Sequence, residues 1–343
     1  MSTRTTASVD DAVTASPVHK HAIDPRPSSG HLLKRIAGTY YLQGTLLAAI
    51  ILSVIFVPNF ATTGNAQNIL TQASFAGLVA CGMTLLIIGG QFDLSVAGII
   101  GVAAVVTAKV LPTTTIGLAV LVALVVGAAL GAVNGVIVTK VRIPPFIATF
   151  GMYNVYLASA FIITSGNVVG ISSVHYQELG ISRIAGIPVV FLVFVLCCVA
   201  VYALVNRTYF GRKLRTVGSN ETAARLAGVR VDRVKIIAFA VAGLLTGVAA
   251  VGLSALLSSA NGTMAQGMEL NAIAIAVVGG TALRGGRGTI LGTFTAALLI
   301  TLISNALNLL QVQTYWQSIV TGAILIVALV VGGLRNDAVR GAA

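Results

Sequence analysis

The chain has 343 residues, of which 57% are hydrophobic and 9% charged, where a soluble domain carries roughly 25% charged residues. So few charges cannot cover a soluble globule of this length. That excludes a soluble enzyme, a disordered chain and a nucleic-acid-binding module, in spite of a formal net charge of +12. Lipid is the expected solvent for most of the chain.

Residues 1–35 form a polar stretch rich in Ser, Thr, Ala and His. The first apolar run starts too late for a secretory signal, and Asp10, Asp11 and Asp24 interrupt a transit-peptide pattern, so the stretch reads as a disordered cytoplasmic tail. About ten apolar runs follow that are long enough to cross about 30 Å of hydrocarbon: 42–58, 69–90, 94–112, 116–139, 146–165, 187–206, 236–256, 270–283, 289–310 and 316–334. The eighth is short and suits a broken or re-entrant segment, and the turn at 89–95 is tight. Helices satisfy their own backbone in lipid, and the alternation of a membrane barrel is absent. The predicted fold class is therefore all-α: a polytopic membrane protein of about ten transmembrane helices over 36–335, with a cytoplasmic tail at 336–343.

With ten spans and the N-terminus inside, 19 of the 21 Lys and Arg residues fall in inside segments, and only Lys109 and Arg183 fall outside. This asymmetry orients the chain with both termini cytoplasmic. The basic residues face anionic lipid heads, not nucleic acid. Cys81, Cys197 and Cys198 sit in apolar runs without metal-type spacing and read as packing residues. The chain has no phosphate loop and no nucleophile constellation. Gly285-Gly286-Arg287-Gly288 follows no strand and lacks the Lys-Ser/Thr pair. No catalytic residue, metal or cofactor is expected, and the chain is not an enzyme.

Loop 207–235 is the one large inside loop, with eight basic and two acidic residues. Within it Ser219-Asn220-Glu221-Thr222-Ala223-Ala224-Arg225-Leu226-Ala227-Gly228 reads as a short helix. Ser219 or Asn220 caps it, Glu221 sits at the positive end of the dipole, and Gly228 occupies the C′ position. Asp232 is placed to cap the next span. Two turns of helix are not stable alone in water, so this one packs on its own membrane domain or on another protein.

This loop resembles the coupling-helix region of permease subunits in ATP-binding-cassette importers, specifically the ribose-type sugar branch. Other matching pieces run in consistent order over about 40–335. They are Gly82-Met83-Thr84 leading into Phe92-Asp93-Leu94-Ser95-Val96, Asn134-Gly135 with Arg142-Ile143-Pro144-Pro145-Phe146-Ile147-Ala148-Thr149, Gly211-Arg212, Val278-Gly279-Gly280-Thr281 and Gly285-Gly286-Arg287-Gly288-Thr289. Gly89-Gly90-Gln91-Phe92 stand where the family more usually has a small residue and Ile before Asp-Leu-Ser, and Ala97 interrupts the usual Val-Gly step. The resemblance implies a permease with residues 219–228 docking a cytoplasmic ATPase. It also implies a second permease copy, an extracytoplasmic solute-binding protein meeting loops 166–186 and 257–269, and a monosaccharide or polyol as substrate.

Ionisable groups deep in lipid cost about 2.5–3.5 kcal/mol on the insertion scale, and few are present. None of the four His residues lies in a span, which argues against proton coupling. Asp93 reads as the N-cap of the third span or as a pathway group, and Glu269 as a solvated interfacial acid. A neutral polyhydroxylated solute needs amides, hydroxyls and an aromatic face. Asp93, Asn134, Tyr153, Asn154, Asn271 and Asn305 are the candidate pathway residues, with interhelical hydrogen bonding, worth about 0.6 kcal/mol, as their structural alternative. Gly127, Gly131 and Gly135, and Gly243 and Gly247, form small stripes for close helix packing. Gly89-Gly90 and Gly279-Gly280 each precede a further glycine by eight residues and suit hinges or a repeated half. An ATP-independent facilitator, an ion-coupled carrier and an amino-acid permease of the same machinery are the alternative functions.

Overall fold

The computed structural model describes residues 29–313, with side chains from Tyr41 onward, and of the remainder only 315, 316, 319, 320, 322, 323 and 326. The tails expected at 1–28 and 336–343, and most of the tenth apolar run, lie outside the described residues. The chain divides into units of residues 1–41 and 42–343. In the first, the described backbone from Ser29 is helical, inside the stretch read as tail.

Helix α1 spans Ser29–Phe56, α2 Thr63–Ile88 and α3 Val96–Val110, the last prolonged by a tight 3-10 turn at Leu111–Thr113. Helix α4 covers Ile116–Val136 and passes into a π-helical turn at Ile137–Val141; α5 covers Pro145–Thr164. Strand β1 (Val169–Gly170), α6 (Val174–Ile181) and the hairpin β2 (Arg183–Ile184) and β3 (Ile187–Pro188) lead to α7 (Val189–Arg207). Helices α8 (Tyr209–Ser219) and α9 (Glu221–Leu226) precede α10 (Val231–Leu257), strand β4 (Ser259–Ala260), α11 (Met268–Val278) and α12 (Ile290–Leu309). Among the described residues seven helices are long and apolar enough to span a membrane, and the apolar part of α1 and α11 are shorter. The tenfold expectation thus meets seven long spans, two shorter apolar helices and one run outside the described residues.

Local chemistry sets the boundaries. Thr62, Thr115 and Thr289 cap α2, α4 and α12, each side-chain oxygen accepting from an amide three residues on. Pro145 opens α5, where its missing N–H costs nothing. Helices α2 and α11 end alike. Gln91 N–H donates to Leu86 O and Gly90 N–H to Ile87 O; Thr281 N–H donates to Ala276 O and Gly280 N–H to Val277 O. Gly90 at φ 71° and Gly280 at φ 85° supply the left-handed residue that this closure requires.

Packing identifies the centre. The apolar window of α2 is 89% buried, against 22% for α4 and α5, so α2 is the hub and α4 and α5 are peripheral. The two glycine stripes meet. A methyl group at Gly131 would overlap the Phe239 carbonyl oxygen, and one at Gly127 that of Gly243. Small residues therefore let α4 and α10 approach backbone to backbone, the geometry expected where helix association in lipid relies on van der Waals contact. Strand β1 pairs antiparallel with β4, Val169 opposite Ala260, and joins two connections about ninety residues apart.

Candidate functional site

The short helix expected in loop 207–235 forms as α9. Asn220 is its cap, its Oδ1 accepting from Ala223 N–H at 2.9 Å, and Ser219 instead donates to Arg215 O. Gly228 at φ 79° closes it, with Val229 N–H donating to Ala224 O. Ala224 is buried against the membrane domain, while Thr222, Ala223, Ala227 and Gly228 are exposed. Leu226 stands 85% exposed, an apolar side chain with nothing over it in the monomer.

Ion pairs hold this helix down. Glu221 accepts from Lys235 at 2.7 Å and from Arg225 at 3.3 Å; Arg225 also reaches Asp232 at 3.1 Å, and Lys140 reaches Asp232 at 3.2 Å. Partial burial pushes the Glu221 carboxyl up, but the hydrogen bonds and charges of Lys235 and Arg225 outweigh it and hold the group below its ordinary 4.5. Asp232 does not cap α10, contrary to expectation. The cap position is Arg230, and Asp232 sits in the first turn with its carboxylate committed to Lys140 and Arg225.

Helix α8 is absent from the sequence reading. Thr208 caps it, and Leu214 and Val217 are buried on one face. The Thr208 cap and the apolar spacing Phe210, Leu214, Val217 were the available signals. Its last turn ends on a three-way glycine junction. A methyl at Gly218 would overlap the Ile88 carbonyl oxygen, and one at Gly285 would lie 2.6 Å from the Gly218 oxygen and 3.1 Å from Gly90 Cα. Gly286 N–H donates to Ile88 O at 2.8 Å. The end of α8 thus meets the turn after α2 and the loop after α11 in close backbone approaches, with the Leu214 side chain against Gly89 and the Ser219 hydroxyl against Gly286. A cavity of about 660 Å³ opens beside it, lined in part by Gly90, Gln91, Arg142, Glu221 and Lys235.

The candidate pathway residues fall into three groups. Asp93 and Asn134 are fully buried together. Asp93 Oδ1 accepts from Ser95 N–H and Oγ at 2.8 and 2.6 Å; Asn134 Nδ2 donates to Asp93 Oδ2 at 3.2 Å and to Ser95 Oγ at 2.6 Å. The Tyr156 hydroxyl lies 2.9 Å from both Asn134 Oδ1 and Leu130 O, and Thr149 Oγ1 accepts from Leu94 N–H at 3.0 Å. Asp93 is not the helix cap, because Ser95 holds that position; it instead turns the chain into α3 and ties α3 to α4 and α5. Asn305 is buried elsewhere, donating to Asn65 Oδ1 at 2.8 Å. Tyr153, Asn154 and Asn271 form the third group. Asn154 is exposed midway along α5, and Tyr153 and Asn271 are half-buried.

Residues 65–329 match the family described as branched-chain amino acid transport system / permease component. A ribose import permease protein of Escherichia coli strain K12 is 38% identical over 302 residues, covering 86% of this chain and 94% of that protein. An L-arabinose transport system permease protein of the same strain is 36% identical over 322 residues, 92% of this chain and 96% of that one. A ribose import permease protein of Bacillus subtilis strain 168 is 37% identical over 289 residues, 83% and 89% of the two chains. No solved structure matches.

Proposed function

We propose, from the premise that the chain belongs to this family of transport-system permease components, that it is the membrane subunit of an ATP-driven importer for a monosaccharide or sugar-like polyol. The observation that carries the reading is α9: an exposed apolar knob on a helix ion-paired to α10 and joined through α8 to two membrane turns. A cytoplasmic ATPase pair seats on Leu226 and the exposed face of 219–228. Its closure displaces α8, and the close backbone contacts of the glycine junction carry that displacement to the turns after α2 and α11. The Asp93–Asn134 lock keeps the α2–α3 turn rigid, so the displacement tilts helices and does not deform the turn.

Two copies of the chain enclose the path, and an extracytoplasmic solute-binding protein delivers solute at the end carrying β1 and β4. The excess of Lys and Arg in loop 207–235 and in the other inside segments supports a cytoplasmic position for the end carrying α8 and α9 and for both termini. The family description names branched-chain amino acids, while the relatives quoted above over most of their length are named for ribose and L-arabinose. The chain is reconstituted with its ATPase and binding protein, and uptake of labelled D-ribose, L-arabinose and leucine is compared. ATP-dependent entry of a sugar supports the reading. Entry without the ATPase makes the chain a facilitator, and entry of leucine alone makes it an amino-acid permease.

A further inference from the structure

Four pieces of chain wall the cavity of about 660 Å³: the turn after α2, the π-helical turn with the linker into α5, helix α9, and the start of α10. Its charges do not balance. Glu221 is held by Lys235 at 2.7 Å and Arg225 at 3.3 Å, and Asp232 by Arg225 at 3.1 Å and Lys140 at 3.2 Å. Arg142 lines the same cavity, and its side chain has no hydrogen bond or ion pair among the described residues. Lys140, Arg142, Arg225 and Lys235 therefore meet only the two carboxylates of Glu221 and Asp232, a surplus of two positive charges. Lys235 is 8% exposed, so water screens its charge little. Pro144 and Pro145 add the start of α5, the positive end of that helix dipole.

Two features make this more than a basic surface. Arg142 ends the π-helical turn at φ 62°, a left-handed conformation that few residues other than glycine adopt, and the two prolines that follow at 144 and 145 stiffen the linker. Gln91 is the second. It is 4% exposed and lines the cavity, and its Nε2 donates to Gly90 O at 2.8 Å. The Gly90 carbonyl only accepts, so the amide cannot be turned round. Gln91 Oε1 is left buried without a partner, an acceptor that needs a donor. A cationic donor is repelled by the surplus charge, which leaves a neutral hydroxyl. A phosphate monoester carries about −1.5 to −2 charges at pH 7, which matches that surplus.

We propose that this cavity binds a phosphate ester bearing free hydroxyls. The phosphate sits on Arg142 in the field of Arg225 and Lys235, and a hydroxyl donates to Gln91 Oε1. Soluble polyol phosphates and the phosphatidylglycerol head group share this chemistry. The test takes the full chain in phosphatidylcholine nanodiscs and follows Tm against glycerol 3-phosphate, sulfate, which has charge without a hydroxyl, and glycerol, which has hydroxyls without charge. The ester is expected to raise Tm saturably, sulfate to bind more weakly and glycerol not at all. Arg142→Gln is expected to weaken the ester about tenfold or more, the loss of one charged hydrogen-bond donor. Gln91→Leu is expected to bring the ester down to the affinity of sulfate. A second arm replaces part of the phosphatidylcholine by phosphatidylglycerol. A rise in Tm there that Arg142→Gln abolishes, with no response to the soluble ester, makes the lipid the source; a response to the soluble ester alone makes it a metabolite. The site is overturned if neither arm gives a response that depends on Arg142, or if sulfate binds the wild type as tightly as the ester. Neither arm uses an ATPase or measures uptake, so failure of the permease reading and failure of this site are separate results.

Discussion

Two polar regions of the membrane domain are built on opposite principles. Around Asp93, the side chains of Ser95, Asn134, Tyr156 and Thr149 answer one another across three helices, and water reaches none of the first three significantly. Around Glu269, the carboxylate accepts from the Gly267 amide and Asn271 Oδ1 is buried without a partner among the described residues. Closed networks specify one arrangement of the backbone, because each group has a single best partner. An acceptor without a fixed partner suits a group that arrives and leaves. Residue type alone does not separate the two, since each region is made of carboxylate, amide and tyrosine.

The comparison breaks first at the helix crossing that holds the domain together. Gly131→Val drives a side chain into the Phe239 carbonyl, which has nowhere to move. It is expected to cost about 3 kcal/mol or more and to remove the monodisperse protein from detergent extracts. Next, Asn134→Leu strips donors from a buried carboxylate and leaves the Tyr156 hydroxyl one acceptor fewer. A loss of about 1–3 kcal/mol is expected, read as a lowered Tm of the purified chain. The matching change on the open face, Asn154→Leu, is expected to leave Tm unchanged while uptake falls. Equal Tm shifts in the two variants would erase the distinction between closed and open regions.

A smaller effect concerns α9. The Glu221 carboxyl is held below its ordinary value in the folded chain, so its contribution is present above about pH 4.5 and fades as pH falls through the lower, folded value. The group is nearly half exposed, so solvent screening limits this to under about 1 kcal/mol. Protection factors for amide exchange in 221–226, taken relative to the intrinsic rate at each pH, are expected to fall on acidification in the wild type, and to be lower and less pH-dependent in Glu221→Gln.

Much of this was legible in the chain before folding. Asn220 and Gly228 bracket α9 because capping chemistry is local, and the stripes 127–131–135 and 243–247 announce a close crossing because helix periodicity is local. The partner of a stripe, the burial of Asp93 and Asn134, and the pairing of Val169 with Ala260 depend on contacts between distant segments, which no window along the sequence contains. Helix α8 had local signals in Thr208, Leu214 and Val217, but its five intervening polar and glycine residues read as an ordinary basic loop.

The account rests on an external motor pushing an exposed helix. Its most direct test is Leu226→Asp, a change at an 85% exposed side chain that touches neither the ion pairs nor the core. The measurement is ATP-dependent sugar uptake by the inserted variant beside the wild type, with the ATPase present. The account predicts an unchanged Tm, an ATPase that no longer copurifies, and uptake lost. Full ATP-driven uptake with the knob charged would contradict it.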